Sequence, residues 1–416
     1  MLTYWLWLAH RPGLSDRMKM ALLQQFQDPE MVYFADDRAF DHVEGLSPEA
    51  RQALQDKNLS QPKKILEDCR REKLQILTLQ DAAYPARLKN IFDPPMVLYY
   101  KGQLPELDAN PVIGVVGTRK ATPYGIQTAK RMGWQIGKCG GIVVSGMAYG
   151  IDGAATAGAL SAGMPAVGVL GCGADMVYPA SNRFLFRDME SRGCLISEFP
   201  PGTPPVKWNF PKRNRIISGL SCGVLVVEAP EKSGALITAS QALDQGRDVF
   251  TVPGNIDIPT FSGSNRLLRE GAMAVTSGWD ILSEYEALFP DKIRKWDAPA
   301  MQQAYPDEVA KQVPSEQLKV AQTPALPEEK KDLKKEFRKT PIDKAATSSY
   351  SDVNTTFAGL SGQALELVQC LKDGERTVDD LIAETGMTTG TLLGLLTVLE
   401  LKSVVKRLPG KRITLK

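Results

Sequence analysis

Seven short apolar runs, rich in β-branched residues, recur through the middle of the chain: Val112–Val116, Ile142–Ser145, Ala166–Leu170, Cys194–Ser197, Gly223–Glu228, Asp248–Val252 and Met273–Thr276. Successive runs start 24–30 residues apart, and the intervals carry helical patterns such as Gln127–Ile136 and Asp152–Ala162. A tight hairpin cannot return a strand in the same direction, so strands alternating with helices at this spacing imply parallel strands joined by crossovers. The runs are apolar throughout, as strands covered on both faces should be. The central region is therefore predicted to be α/β, with a doubly wound, mainly parallel sheet.

The flanks have other rhythms. Before residue 80 the pattern is helical: Leu14–Phe26 carries apolar residues at 14, 18, 22, 23 and 26, and Glu49–Leu54 opens another amphipathic piece. Gly13-Leu14-Ser15 and Gly45-Leu46-Ser47 each place a serine as an N-cap, which suits a small bundle of capped helices or a hairpin module whose turn amides meet phosphates. No glycine occurs between Gly278 and Gly359, and Lys292–Ser351 mixes prolines with runs such as Glu328-Glu329-Lys330-Lys331. That stretch has little to bury and reads as a solvated linker, with room for a short helix at Glu328–Arg338. The last segment reads as helices Gly362–Leu371, Val378–Thr385 and Thr389–Lys402, then Val404–Leu408, a Pro409-Gly410 turn and Arg412–Leu415, the order of a winged helix. After Glu400 the segment has cations at 402, 406, 407, 411, 412 and 416 and no acid, which suits nucleic-acid contact or a protein-binding module. The expected domains are residues 1–80, 81–290, a linker at 291–355, and 356–416.

Composition removes several classes of function. No membrane span is expected. Met1–His10 has no basic residue ahead of its apolar run and no A-x-A cleavage site, so a cytoplasmic protein is expected. The six cysteines contain no C-x-x-C pair, and the only histidines are His10 and His42. A Ser–His–Asp triad or a histidine-ligated metal in the central region would need residues that are absent. Neither G-x-G-x-x-G nor G-x-x-x-x-G-K-[ST] occurs, so no common nucleotide cofactor and no metal are expected.

In a parallel sheet, ligands lie beyond the carboxyl ends of the strands. Those positions are small here: Gly117-Thr118-Arg119, Ser145-Gly146, Gly171-Cys172-Gly173 and, after the fifth run, Ser233-Gly234. Glycine lets backbone N–H groups approach an anion, so the rim is expected to bind phosphate, although glycines also serve tight strand–helix turns. Arg119 can fork onto phosphate oxygens. The sharpest feature is Lys207-Trp208-Asn209-Phe210-Pro211-Lys212-Arg213-Asn214-Arg215, four cations interleaved with two aromatics in a stretch, Phe199 to Val227, with no carboxylate. Stacking surfaces beside positive charge are what unpaired polynucleotide needs, and the segment is expected to form a loop over the glycine edge. Asp152 is expected to cap a helix, Cys172 to be a small residue in a crowded turn, and Glu198 and Glu228 to pair with nearby arginines.

These residues in this order resemble the DNA-processing protein A family (DprA, also called Smf). The resemblance spans Tyr84 to about Phe289 and rests on Tyr84-Pro85-Ala86-Arg87-Leu88, Asp93-Pro94-Pro95, Leu98-Tyr99-Tyr100-Lys101-Gly102, Val115-Val116-Gly117-Thr118-Arg119, Ser145-Gly146-Met147 and Gly150-Ile151-Asp152. It continues through Leu170-Gly171-Cys172-Gly173, Tyr178-Pro179, Ile196-Ser197-Glu198-Phe199-Pro200-Pro201-Gly202-Thr203, Asn209 to Gly219 and Val252-Pro253-Gly254. The family commonly has arginine where Tyr149 stands and histidine where Thr156 stands. The resemblance implies an extended Rossmann-like domain with an N-terminal sterile-alpha-motif-like domain and a C-terminal winged helix. It further implies a non-catalytic, dimeric protein that binds single-stranded DNA during natural transformation and helps load RecA, with single-strand-binding protein as a further partner. It places Arg119, Lys207, Asn209, Phe210, Lys212, Arg213, Asn214 and Arg215 at the DNA pocket with the rim positions Gly117, Thr118, Ser145, Gly146, Gly171, Gly173 and Gly234, adds Arg183, and puts Leu267 and Leu268 at a self-association face.

Two other classes compete. Lysine-decarboxylase-like phosphoribohydrolases use a Pro-Gly-Gly-x-Gly-Thr-x-x-Glu turn, whose nearest counterpart, Ser233 to Gln241, lacks the later glycines and the glutamate. A duplex-binding regulator acting through the winged helix is the other.

Overall fold

The computed structural model describes residues 1–295 and, further on, residues 367–371, 374, 376–385, 387, 391–392, 395–396, 399–400, 405–408 and 412–415. The expected linker beyond residue 295, the Glu328–Arg338 helix and the Pro409-Gly410 turn lie outside the described residues. The chain divides into two compact units, Met1–Pro324 and Ala325–Lys416. No helix among the described residues is long and apolar enough to cross a membrane.

The first unit opens with helices α1 (Leu2–Ala9), α2 (Asp16–Phe26), α3 (Pro29–Phe34), α4 (Pro48–Gln55) and α5 (Ser60–Glu72). Ser15 and Ser47 cap α2 and α4 as expected, each side-chain oxygen accepting a backbone N–H at 3.2 Å. The apolar start of the chain is a core helix: Trp5, Leu6, Trp7 and Leu8 are all buried. Trp7 Nε1 donates to the Asp56 carbonyl at 3.0 Å, which satisfies the one polar atom of the indole.

The sheet has nine strands: β1 (Gln75–Thr78), β2 (Val97–Gly102), β3 (Val112–Val116), β4 (Ile142–Ser145), β5 (Ala166–Val169), β6 (Cys194–Ser197), β7 (Gly223–Val226), β8 (Asp248–Thr251) and β9 (Met273–Ala274). Their order is β1-β2-β6-β5-β4-β3-β7-β8-β9. All seven runs read from the sequence are strands, parallel to one another. The two that were missed, β1 and β2, pair antiparallel at one edge, and β1 lies on the helical side of the expected 80/81 boundary. Every residue of β3 to β7 is buried, which is why their sequences show no alternation. Chain order reverses at β3, with β4–β6 on one side and β7–β9 on the other, so the switch point lies at the carboxyl end of β3.

Helix α6 (Ala86–Lys89) lies between β1 and β2; the crossovers are α7 (Pro123–Lys138), α8 (Ile151–Ser161), α9 (Arg183–Arg192), α10 (Asn209–Leu220), α11 (Gly234–Asp244) and α12 (Ser262–Arg269); and α13 (Gly278–Leu282) follows β9. Helices α7 and α8 touch backbone to backbone. A Cβ on Gly133 would lie 2.9 Å from the Ala155 carbonyl carbon, and one on Gly158 would lie 2.9 Å from that of Lys130. Leu267 on α12 is buried in the core, which corrects its expected place on an exposed self-association face; Leu268 is half-buried.

In the second unit, residues 367–370 and α14 (Val378–Thr385) are helical, and β10 (Arg376–Thr377), β11 (Val405–Leu408) and β12 (Arg412–Leu415) form a sheet in the order β10-β12-β11. Leu367, Leu381, Leu392, Leu396, Leu399, Val405 and Ile413 share one core, so the winged-helix reading holds.

The N-terminal helices join the sheet through one core that runs from Trp5 to Ile293. His10 Nε2 lies 2.6 Å from the Tyr99 hydroxyl on β2. Burial, with Lys19 and Lys212 nearby, brings the His10 pKa down to about 4. The unfolded chain therefore binds more protons than the fold between the ordinary histidine value and about pH 4. The contribution is complete above about pH 6.5 and is lost as the pH falls toward 4, with a ceiling of about 3 kcal/mol. Denaturant titrations of wild type and His10→Gln across this window should show the wild type losing stability relative to the variant as the pH falls; a gap that does not change with pH would refute the assignment.

Candidate functional site

The segment expected to be a basic loop is mostly helix. Only Lys207 and Trp208 lie ahead of α10, and Asn209 to Leu220 are helical. Pro211 is compatible with this because it is the third helical residue, where its missing N–H has no intrahelical partner to lose. The helical period then divides the charges. Phe210, Arg213 and Asn214 turn to the carboxyl edge of the sheet, and Lys212 and Arg215 turn to the N-terminal helices.

Arg213 is buried beneath that edge, and its Nη1 donates to the Val169 carbonyl at the end of β5. The buried Asp152 carboxylate faces it and also accepts from the backbone of Ala148 and Gly117. Burial raises the Asp152 pKa against the pull of Arg213, and lowers that of Arg213 to about 10, still above neutral pH. Asp152 is thus a charge partner rather than a helix cap; the cap position of α8 is Gly150. Gly146 leaves the space for the pair: a Cβ there would lie 2.5 Å from Asp152 Oδ2 and 2.6 Å from Arg213 Nη2.

Arg215 is buried in acid, 2.7 Å from Glu198, 2.8 Å from Asp93 and 3.9 Å from Asp16. Burial opposes its charge, but these three carboxylates outweigh it and raise its pKa. Lys212 reaches Asp16 at 3.3 Å and Glu198 at 3.7 Å. Neither cation faces the glycine edge, which corrects their expected place in the pocket. The arginine partner expected for Glu198 is Arg215. Glu228 has no such partner among the described residues; its carboxylate accepts from Thr122 N–H and Oγ1, anchoring the start of α7.

The rim glycines also differ from expectation. Gly117 makes room for Ile151, Gly171 for the Phe210 ring, and Gly173 for Asp175 and Pro200, so their missing Cβ atoms admit the protein's own groups; only Gly234 faces open space. Thr118 donates its N–H to the Glu228 carbonyl at 2.7 Å, and Ser145 Oγ donates to the Val115 carbonyl at 2.6 Å. Asn209 Nδ2 donates to the Gly171 carbonyl at 3.1 Å and Asn214 Nδ2 to that of Gly234 at 3.3 Å. Cys172 is buried, and burial pushes its thiol up to about 11, so it is no nucleophile at neutral pH.

What faces solvent is a smaller set. Arg119 is exposed and lies 4.8 Å from the centre of the Phe210 ring, with no carboxylate partner among the described residues. Tyr178, which sequence reasoning named only within a family motif, also packs on Phe210, with ring centres 5.6 Å apart and planes tilted by 38°. Trp208 is 75% exposed beside the exposed Lys207, and Arg183 is exposed at the start of α9. The arrangement is a cation and two tilted rings at the end of β3 and β5, above the buried charges of Arg213 and Asp152. Arg213→Ala should strand the Asp152 charge and cost about 3–5 kcal/mol of stability. Arg119→Ala should stay within about 0.5 kcal/mol of wild type. Chemical denaturation of both variants checks the contrast.

Residues 75–286 match the family model for DNA recombination-mediator protein A, and residues 355–411 match that for the DprA winged helix domain. The chain is 44% identical over 221 residues to DNA processing protein DprA of Bacillus subtilis (strain 168), covering 53% of this chain and 74% of that protein. It is 40% identical over 215 residues to DNA processing protein DprA of Streptococcus pneumoniae (strain ATCC BAA-255 / R6), covering 52% and 76%. The X-ray structure of DprA from Streptococcus pneumoniae superposes with a TM-score of 0.61 at 33% identity, over 68% of this chain and 98% of that one. With the family model spanning half the sequence and an extended Rossmann-like sheet beneath it, this chain belongs to the DNA recombination-mediator protein A family.

Proposed function

We propose that this chain processes DNA by binding it as a single strand along the carboxyl edge of the sheet, without catalysing a reaction on it. The observation that carries the reading is the exposed Arg119 guanidinium laid over Phe210, with no carboxylate partner among the described residues. A cation on a ring face offers an unpaired base a stacking surface and the adjoining phosphate a charge. Lys207 and Trp208 extend the same chemistry by one residue pair, and Arg183 adds a cation across the edge. Supporting it, the bacterial relatives carry the name DNA processing protein. A duplex hides its base faces in the stack, so this surface favours unpaired strands.

The wider role follows from the family resemblance: shielding of incoming strands during natural transformation and loading of RecA onto strands coated by single-strand-binding protein, by a homodimer formed through the Rossmann-like domain. The net charge of +2 is no obstacle, because affinity follows local charge.

Fluorescence anisotropy with labelled single-stranded and duplex oligonucleotides at two salt concentrations should show preference for the single strand and affinity that falls with salt. Equal affinity for both forms counts against the reading. Phe210→Ala should cost about 1–3 kcal/mol of binding, and Arg119→Ala should lower the salt slope by about 0.7. Removal of residues 325–416 should leave single-strand affinity unchanged, and a large loss would move the site to the winged helix.

A further inference from the structure

We propose that the single-strand surface continues onto the outer face of α9, where Phe184 is a second base-stacking position between the guanidinium groups of Arg183 and Arg187. The proposal rests on the single-strand reading above and extends it to a different helix. Phe184 is 77% exposed, while Phe186 and Met189 of the same helix are buried. At about 100° per residue, Arg183, Phe184 and Arg187 fall within one arc of about 100° that faces away from the buried Met189. A lone exposed phenylalanine needs no explanation. One set on the polar arc of an amphipathic helix, beside two exposed arginines, is a stacking platform in the sense that single-strand binding requires.

The charge on this arc is net positive. Of its acids, Asp188 is taken by Arg192 at 3.3 Å and Glu190 by Lys101 at 3.1 Å. Arg183 and Arg187 have no carboxylate partner among the described residues.

The start of α9 is fastened to the Arg119–Phe210 stack from two directions. Asn182, just ahead of the helix, donates from Nδ2 to the carbonyls of Met147 at 3.0 Å and Ala148 at 3.3 Å. That loop runs on to Gly150, where a Cβ would lie 3.0 Å from the Arg119 carbonyl oxygen. From the other side, Tyr178 packs on Phe210, four residues ahead of Asn182. A strand leaving Phe210 past Tyr178 therefore meets Phe184 next, with Arg183 and Arg187 available to its phosphates. The ligand class is a run of consecutive unpaired nucleotides of any sequence, since every base has a stacking face.

The test uses the full chain and labelled oligothymidylates of about 4 and about 16 nucleotides. Wild type should bind the longer one more tightly. Phe184→Ala should keep the affinity for the short oligonucleotide and lose about tenfold on the long one, with Phe184→Trp restoring it. Arg187→Gln should lower the salt slope by about 0.7 on the long oligonucleotide only. Both side chains are exposed, so unchanged thermal midpoints should confirm that the variants fold. Wild-type binding of both lengths by Phe184→Ala and Arg187→Gln overturns the proposal. So does an equal loss on both lengths, which would make Phe184 part of the first position. A wild-type chain that binds neither length overturns the single-strand reading itself, and this one with it.

Discussion

A guanidinium and a carboxylate, both buried, lie beneath the candidate binding edge of this protein. Arg213 and Asp152 sit on different helices, α10 and α8, and both crowd against Gly146 at the end of β4, where a side chain would strike each of them. Desolvating two such charges costs several kcal/mol each, and their attraction repays it only when the remaining donors and acceptors are engaged. Here the Val169 carbonyl accepts from Arg213 Nη1 and the backbone of Gly117 and Ala148 serves Asp152, while the buried Arg213 Nε has no hydrogen-bond partner among the described residues. The pair thus ties the ends of β3, β4 and β5 to the first turns of α10, the turns that carry Phe210. Arg119 lies across that ring as the exposed charge of the assembly.

The helical period explains how one short basic stretch performs three tasks. Lys207 and Trp208 stay in solvent, Arg213 goes under the sheet edge, and Lys212 and Arg215 bind the acids Asp16, Asp93 and Glu198. Asp16 begins α2, so its contacts with Lys212 and Arg215 fasten the N-terminal helices to the domain that carries the candidate site. Cations that look equivalent along the chain differ because successive helical residues point about 100° apart.

Much of the architecture was legible in the sequence. Strands buried on both faces must be apolar at every position, and that is why Val112–Val116 and its successors stood out. The pair β1 and β2 did not, since Gln75 and Lys101 mark a half-covered edge and its residues belonged to a motif rather than to a rhythm. The candidate site was legible at Arg119, whose exposed charge residue type suggests, and at Phe210 as a ring beside it. It was illegible at Lys212, Arg213 and Arg215, whose roles depend on Asp16, Asp93, Asp152 and Glu198, most of them far away along the chain. The rim glycines were recognised as sites of close approach. What approaches four of them is an isoleucine, an arginine with an aspartate, a phenyl ring and a neighbouring loop, which only the fold reveals.

The two borders of the large sheet are short: β1 has four residues and β9 two. A border strand offers unpaired amides and carbonyls to any other chain that can align with them, and the number of such groups sets how firmly a foreign strand can be captured. Limiting both borders to a few residues lets a wide hydrophobic sheet stay closed to self-templated growth.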